Sequence, residues 1–412
     1  MSAAFSGAES VSAPPSAPAG YFIEMEYAQI CKHGQVACGD ACAVERIDAE
    51  NRALAVLSDG LGSGVKASVL SEMTCTMAMR FLRAGLGLMH CVEAIQDALP
   101  VDSVRKIAYS TFSMVDLQVG GRSRLVEMGN PRYLQLRGTE EVAPASSERI
   151  VSPRWPDRPI DSYELYVRPG DRLVVCSDGV TQSGLENREL RFGWRRSGMV
   201  EHVRGLVSRE PEISARDLSE AVVRRARAMD GGKNLDDVSC LVVYLRRPRV
   251  LRILTGPPFH RESDAAFARL ALPGTGADAV VVCGGTSANI LQRELGVRVE
   301  MDLSRIRDAG DLPPPGRLPG IGLATEGVLT LARVRTALET DADWRREALA
   351  AREILSRMRD ADRVEFCVGT KINEAHQDPN LPSELDLHRT VVRDIASLLS
   401  SRWRKQTSIR WY

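Results

Sequence analysis

The chain has 412 residues, which is enough for two or three domains of ordinary size. Its 54 basic and 54 acidic side chains cancel, so bulk charge gives no reason to expect a nucleic acid or an anionic membrane as partner. No uncharged apolar run approaches the roughly 18 residues that a membrane span would need, so we expect a soluble, cytoplasmic protein.

The first 20 residues are rich in Ser, Ala, Pro and Gly and contain no Lys or Arg. A signal peptide has a basic start and an apolar middle, so this composition predicts a disordered tail instead.

The nine cysteines are scattered along the chain, and several lie within apolar stretches, as in proteins of a reducing compartment. Cys31, Cys38 and Cys42 lack a Cys-x2-Cys pair, so we expect no zinc site there.

Short β-type runs alternate with helical patterns up to about residue 247. Strands are predicted at residues 44–57, 108–117, 123–128, 132–137, 163–167, 172–176 and 238–245. Many strands with few, long helices favour two packed sheets flanked by helices. We therefore expect a first domain over residues 21–247.

Two helices are predicted in that first domain. From Val65 to Phe81 an apolar residue recurs at every fourth position, and we expect this set to face the core. The members of the set are Val65, Val69, Met73, Met77 and Phe81. A second helix is predicted from Ser214 to Met229, because Ser214 and Asp217 approximate a capping box.

After residue 247 the pattern becomes strand, turn, helix, which predicts a smaller α/β domain over residues 248–412. Gly284-Gly285-Thr286 follows one apolar run, Thr325-Glu326-Gly327 follows another, and a third run leads into the polar stretch 371–377. Such loops are typical of ordinary turns, but they could also line one pocket for a small ligand beyond the strand ends. Neither a Walker loop nor a Gly-x-Gly-x-x-Gly motif identifies that ligand. A nucleotide-dependent kinase is disfavoured, because neither a Walker loop nor the kinase signature set appears in the sequence.

Four aspartates lie in matching contexts. Asp40 follows Gly39, Asp59 and Asp178 each end an apolar run within Ser-Asp-Gly, and Asp236 precedes an apolar run. Any single Asp-Gly after a strand is typical of a turn. Carboxylates gathered from several strands repel one another unless a cation lies among them, and Mg²⁺ and Mn²⁺ favour all-oxygen ligands. The set of four therefore predicts a metal centre.

The order and spacing of these aspartates resemble those of the PPM-type, metal-dependent protein Ser/Thr phosphatases, particularly the bacterial branch typified by stage II sporulation protein E. The resemblance spans roughly residues 22 to 246. Its most specific strings are Ser58-Asp59-Gly60-Leu61-Gly62-Ser63-Gly64, before a helix, and Asp236-Asp237-Val238-Ser239. It implies an α-β-β-α sandwich with metals at one end of the sheets.

The resemblance also implies a ligand set for two Mn²⁺ or Mg²⁺ ions. Asp40 and Asp59 would hold one ion or bridge the two, the Gly60 carbonyl would add an oxygen, and Asp178 and Asp236 would complete the ligand shell of the second ion. An activated water would then hydrolyse phosphoserine or phosphothreonine in a protein substrate, such as an anti-sigma-antagonist-like protein. Asp237 is expected to support the ligands without touching metal.

Two departures from the family pattern leave parts of the site open. Eukaryotic relatives use an Arg shortly before the first Asp to hold phosphate, whereas this chain has Lys32 and His33 there. The segment after Gly179 lacks the acidic residue that many relatives carry, so a third metal site is not expected.

The alternative function is a ligand-sensing or phosphoprotein-binding module with a weak or inactive phosphatase domain.

Overall fold

The computed structural model describes residues 20–99, 110–153, 155–185, 192–301, 310–340, 343–371 and 384–412. The chain divides into two compact units, residues 1–247 and 248–412. The predicted disordered tail falls outside the described residues except for Gly20, and so does most of the polar stretch after residue 371.

The first unit alternates strands and helices, and it has more of both than the sequence patterns predict. Its strands are β1 (Phe22–Ile30), β2 (Asp40–Ile47), β3 (Arg52–Gly60), β4 (Ser110–Gln118), β5 (Ser123–Met128), β6 (Leu134–Arg137), β7 (Glu140–Glu141), β8 (Ser146–Ser152), β9 (Trp155–Leu165), β10 (Asp171–Cys176) and β11 (Val238–Arg246). Its helices are α1 (Val65–Arg83), α2 (Leu88–Ala98), α3 (Asp178–Gln182), α4 (Arg195–Arg209) and α5 (Ala215–Met229).

The strands of this unit form two antiparallel sheets. Within the described residues, one sheet has the order β1-β11-β10-β6-β7 and the other has the order β2-β3-β4-β5-β9-β8. The single strand predicted over residues 44–57 is wrong, because it is a hairpin of β2 and β3. A polar turn separates the two strands, and Asn51 adopts the left-handed conformation (φ 49°) that reverses the chain.

Three layers of apolar side chains hold the sandwich together. Residues such as Leu57 of β3 and Leu241 of β11 pack between the two sheets. Helices α4 and α5 cover the outer face of the first sheet, where Leu218 packs near Val242. Helices α1 and α2 cover the outer face of the second sheet. The predicted α-β-β-α sandwich is confirmed.

Helix α1 buries a different face from the one that its apolar spacing predicts. Val65, Val69 and Met73 are exposed, the last two by 53% and 44%, so their assignment to the core is wrong. A spacing of four residues advances about 40° beyond a full turn at each step, so such a series drifts around the helix. The face that is buried carries smaller and partly polar residues, namely Ala67, Leu70, Ser71, Thr74, Cys75, Ala78 and Leu82.

Helix α5 begins as its sequence predicts. The Ser214 hydroxyl accepts a hydrogen bond from the Asp217 backbone N–H at 3.0 Å, which satisfies one of the free N–H groups of the first turn. The buried side chains of α5 include Leu218, Val222 and Ala226, which recur at helical spacing.

The second unit is built on one mixed sheet. Its strands are β12 (Val250–Thr255), β13 (Ala279–Cys283), β14 (Glu300–Met301), β15 (Gly316–Leu318), β16 (Gly322–Thr325), β17 (Arg363–Val368) and β18 (Gln406–Trp411). Its helices are α6 (Asp264–Arg269), α7 (Gly285–Leu295), α8 (Val328–Thr340), α9 (Leu349–Asp360) and α10 (Glu384–Trp403).

The sheet order in this unit is β14-β15-β16-β13-β12-β17-β18, and β16, β13, β12, β17 and β18 run parallel. Alternate residues of β12 face opposite sides: Leu251 and Ile253 pack against α8, α9 and α10, and Leu254 packs against α6 and α7. The prediction of a second, smaller α/β region is confirmed. Across the described residues of both units, no helix has the length and apolar composition to cross a membrane.

Candidate metal centre

Two of the four aspartates face each other across one strand pair. Asp40 opens β2, Asp59 lies near the end of β3, and the two are direct antiparallel partners. Side chains directly opposite in an antiparallel pair have their β-carbons about 4.5–5.5 Å apart, and two like charges at that distance destabilise the pair. A cation or a shared proton between Asp40 and Asp59 would relieve this repulsion.

The other two aspartates come from the neighbouring sheet. Asp178 begins α3 just after β10, and Asp236 precedes β11. The ends of β10 and β11 are held together by Ser177, whose N–H donates to the Ser239 carbonyl oxygen and whose hydroxyl accepts from the Ser239 N–H, both at 3.0 Å. The two acidic turns are therefore fixed side by side.

The four carboxyl groups interact electrostatically in the folded protein. Burial, followed by the charges of Asp40, Asp178 and Asp236, raises the pKa of Asp59 to about 9. Burial likewise raises the pKa of Asp40, which is 4% exposed, to about 7, although nearby serine hydroxyls partly offset the shift. Burial also raises the pKa of Asp236. The structure thus brings together all four aspartates that the sequence singled out.

Several oxygens of this cluster have no hydrogen-bond donor within ordinary geometry. Among the described residues, both carboxylate oxygens of Asp40 and Oδ1 of Asp178 are buried without a partner. The remaining contacts orient the group: Gln182 donates to Asp178 Oδ2 at 2.7 Å, and the Asp237 N–H donates to Asp236 Oδ1 at 3.0 Å. Buried, unpartnered oxygens of this kind fit a hard divalent cation.

Glycines allow the turns of the site to approach one another. The Gly60 N–H donates to the Gly39 carbonyl oxygen at 3.1 Å, which joins the turns that carry Asp59 and Asp40. A Cβ at position 60 would lie 2.2 Å from the Ala67 carbonyl oxygen in α1, and one at Gly179 would lie 2.1 Å from the Asp237 carbonyl oxygen. Side chains at these positions would push apart the segments that carry the aspartates.

Asp237 takes part in the local structure beside the cluster. It is buried, and its Oδ1 accepts a hydrogen bond from the Lys32 backbone N–H at 2.9 Å. The His33 side chain is exposed, and its backbone N–H donates to the Asn234 carbonyl oxygen at 2.9 Å. The loop between β1 and β2 is thereby tied to the segment before β11.

Two cysteines also lie beside Asp237, although their spacing in the sequence predicted no metal site. The sulfur atoms of Cys31 and Cys38 and a carboxylate oxygen of Asp237 lie within 4.8 Å of one another. The thiols come from opposite ends of the β1–β2 loop and the carboxylate from the start of β11. Because no short motif connects these three segments, the sequence carried no signal for this group.

A family comparison agrees with this geometry. Residues 49–246 match the family model described as Stage II sporulation protein E (SpoIIE). Over these residues the chain is similar to the SpoIIE family. The matched segment contains Asp59, Asp178 and Asp236, and Asp40 lies just before it. The resemblance of the first unit to PPM-type phosphatases is thereby confirmed.

Individual relatives match the same part of the chain. Stage II sporulation protein E of Bacillus subtilis (strain 168) is 26% identical over 234 residues, which cover 55% of this chain and 26% of that relative. The protein of the same name from Priestia megaterium is 26% identical over 213 residues, which cover 50% of this chain and 34% of that relative. The chain therefore spans about a quarter to a third of the length of these curated relatives.

Solved structures similar to this chain include the PP2C phosphatase domain with a fragment of the regulatory domain of SpoIIE from Bacillus subtilis. That match has 20% identity, covers 55% of this chain and 65% of that chain, and has a TM-score of 0.45. RsbX, solved in complex with magnesium, matches at 16% identity over 54% of this chain and 95% of that chain, with a TM-score of 0.38.

Proposed function

We propose that the SpoIIE-like domain, over residues 21–247, is a protein phosphatase that hydrolyses phosphoserine and phosphothreonine with two Mn²⁺ or Mg²⁺ ions. The observation that carries this proposal is the convergence of Asp40, Asp59, Asp178 and Asp236 from two sheets onto one acidic cluster with unpartnered oxygens. A binding module would have no physical need for this electrostatically costly arrangement.

The chain's own residues would hold and orient the ions. Asp40, Asp59, Asp178 and Asp236, with the Gly60 carbonyl, form the proposed ligand set. Divalent ions held there would supply an activated water for attack on phosphorus and would neutralise charge on the phosphoryl oxygens. Gln182 and the Asp237 N–H orient Asp178 and Asp236 through their hydrogen bonds. The glycines of the Asp59 turn leave room for a substrate to approach.

The proposal is tested by assaying purified protein on p-nitrophenyl phosphate and a phosphothreonine peptide with Mn²⁺, Mg²⁺ or EDTA. We expect activity only with metal, and a loss of about 100-fold or more in Asp59→Asn and in Asp178→Asn, since even residues that merely support metal ligands are worth 10–100-fold. Asp48→Asn is the matched control, because Asp48 lies at the opposite end of the same strand pair. Metal binding without turnover of either probe would favour an enzyme that is restricted to its own substrate or activated by a partner. Absence of both metal binding and turnover would favour a binding module.

The natural substrate and setting are narrower proposals. We infer a phosphorylated protein in bacterial signalling, such as a small anti-sigma-antagonist-like protein, from the SpoIIE family resemblance. A cytoplasmic location is consistent with cysteines that form no disulfide among the described residues. We also propose that residues 21–247 and 248–412 are separate domains.

A second candidate function is binding of a small phosphate-bearing ligand by the second unit. The residues just before α7 and α8 lie close together. A Cβ at Gly327, before α8, would lie 3.2 Å from the Cα atom of Gly284, before α7. Ser287 in α7 and Thr330 in α8 are fully buried, and their hydroxyls have no hydrogen-bond partner within the described residues. Two helix N-termini with unpartnered hydroxyls favour an anion.

Glu326 refines the chemistry of that ligand. It directly precedes Gly327, and among the described residues its buried Oε2 has no partner. A carboxylate beside an anion site would accept a hydrogen bond from a hydroxyl or amine of the ligand. The ligand would therefore carry a phosphate and a hydrogen-bond donor, as phosphorylated metabolites do.

Thermal unfolding with inorganic phosphate as the probe tests this second candidate. We expect phosphate to raise the Tm of the wild-type protein and of Ser397→Ala, an exposed control on α10, but not that of Ser287→Ala. An equal rise in Tm for all three proteins would contradict a phosphate site at Ser287. A ligand that saturates the protein while the phosphatase rate stays unchanged would separate ligand sensing from control of catalysis.

A further inference from the structure

The group formed by Cys31, Cys38 and Asp237 has the composition of a metal site and is not part of the proposed phosphatase ligand set. One ligand atom from each residue lies within 4.8 Å of the other two. Both thiols are partly accessible, whereas Asp237 is buried. An ion could reach this group from solvent, and the carboxylate would form its inner wall.

The backbone around the group is fixed by contacts between three segments. Asn234 donates through Nδ2 to the Cys31 carbonyl oxygen at 3.4 Å, and the Lys32 N–H donates to Asp237 Oδ1 at 2.9 Å. Gly39 lies against the second carboxylate oxygen, since a Cβ at position 39 would lie 2.6 Å from Asp237 Oδ2. These contacts therefore hold the segments that carry the three donor atoms close to one another.

The donor set distinguishes this group from the four-aspartate cluster. Thiolates select zinc and other borderline or soft ions, whereas Mg²⁺ and Mn²⁺ favour oxygen ligands alone. Zn²⁺ takes Cys sulfur at about 2.3 Å and carboxylate oxygen at about 2.0–2.2 Å in tetrahedral shells, so three donors within reach of one another can close around one ion. Three protein ligands leave the fourth position to water.

We propose that Cys31, Cys38 and Asp237 bind one Zn²⁺ ion beside the phosphatase centre. Binding converts both thiols to thiolates and releases their two protons to solvent. The ion ties the β1–β2 loop to the start of β11. That loop leads into Asp40, and Asp237 directly follows Asp236, so zinc would stiffen both approaches to the phosphatase cluster.

Cobalt is the probe that separates the two kinds of site. Co²⁺ bound by thiolate shows an intense ligand-to-metal charge-transfer absorption in the near ultraviolet, which Co²⁺ bound only by carboxylates lacks. The metal-free, reduced full-length protein is titrated with Co²⁺ under nitrogen. We expect this band at one equivalent, its loss on adding one equivalent of Zn²⁺, and its persistence in excess Mg²⁺.

Variants assign the band to these residues. Cys31→Ser and Cys38→Ser should each lower the Co²⁺ and Zn²⁺ affinity by about 100-fold or more and abolish the band, because each removes a direct ligand. The control is Cys42→Ala, which removes a nearby thiol that packs between the sheets. Circular dichroism of the metal-free variants checks folding, and if Cys38→Ser is misfolded, Cys31→Ser at the partly exposed loop end decides alone.

The possible results are unambiguous. A band in wild type and Cys42→Ala that is lost in Cys31→Ser supports the site. A band that survives in both Cys31→Ser and Cys38→Ser, or that is absent from fully reduced wild type, overturns it. Since the readout is thiolate ligation and not turnover, failure here leaves the phosphatase proposal intact, and a catalytically inactive protein can still show the zinc site.

Discussion

Asp59 is held beside three other carboxyl groups, and its raised pKa shows that the metal-free protein favours a proton there. In the unfolded chain the same carboxyl group has an ordinary pKa near 3.8, against about 9 when folded. The unfolded state therefore ionises first as pH rises. The stabilising contribution of this protonated group is complete below about pH 4 and is lost as pH rises through about 9.

We predict that the Tm of the metal-free first unit falls with pH in this window and that Asp59→Asn flattens the fall. Asparagine cannot ionise, so the variant loses the largest pH-dependent penalty of the cluster. Differential scanning calorimetry in EDTA at several pH values between about 5 and 8 measures the effect. Mn²⁺ should raise the Tm of wild type more at the higher pH and raise that of the variant less. Parallel curves for the two proteins in EDTA would contradict the prediction.

Gly60 gives a second residue-level prediction. A Cβ at this position would lie 2.2 Å from the Ala67 carbonyl oxygen, so Gly60→Ala must displace the Asp59 turn or α1. We expect a loss of about 1–3 kcal/mol in the unfolding free energy, in the range typical of overpacking, together with weaker metal binding. Urea unfolding and metal titration measure both. Gly205→Ala is the control, because a Cβ at this helical glycine would lie 3.9 Å from Arg209 Nη1, an ordinary contact, and its replacement should stabilise by about 0.4–1 kcal/mol.

At the residue scale, the sequence indicates the aspartates because each adjoins a strand end, and strand ends in register meet in space. Asp40 and Asp59 each adjoin a strand end in this way, but their direct pairing comes from the hairpin of β2 and β3, which the sequence predicted as one strand. Cys31 and Cys38 show the limit. Their approach to Asp237 depends on how a whole loop folds against a distant segment, which local patterning does not determine.

Helix α1 shows at the element scale what apolar spacing predicts and what it leaves open. The sequence predicts that a helix starts at Val65, and the structure has it there, but the buried face is set by which side lies over β2 and β3. That face must accommodate close approach of the sheet, so it carries small residues such as Ala67 and Ala78. Val69 and Met73 instead line a shallow surface groove.

Truncations on the two faces of α1 should therefore differ in cost. Leu82→Ala removes a fully buried side chain and should lower the unfolding free energy by about 2–5 kcal/mol. Met73→Ala removes a side chain that is 44% exposed, and its cost should stay below about 1 kcal/mol. Chemical denaturation of the two variants beside wild type makes the comparison. A larger loss for Met73→Ala would restore the face predicted from sequence.

At the scale of the whole molecule, strand and helix patterns predict two kinds of architecture but not their strand orders. Antiparallel hairpins follow from short connections, as between β4 and β5. In the sheet of the second unit, β12 lies between β13 and β17. No local feature of Val250–Thr255 specifies these two neighbours. Long-range packing of α6 to α10 on the two faces sets it.

Each unit has its own apolar core, and this leads to a prediction about cooperativity. The helices and sheet of residues 248–412 pack around the sheet's two faces with cluster members drawn from that unit alone. A segment with such a core should fold when expressed by itself. We expect residues 248–412 to give a single cooperative thermal transition with far-ultraviolet circular dichroism typical of an α/β protein. A non-cooperative melt would show that this unit depends on residues 1–247, and its proposed phosphate site would then have to be studied only in the full chain.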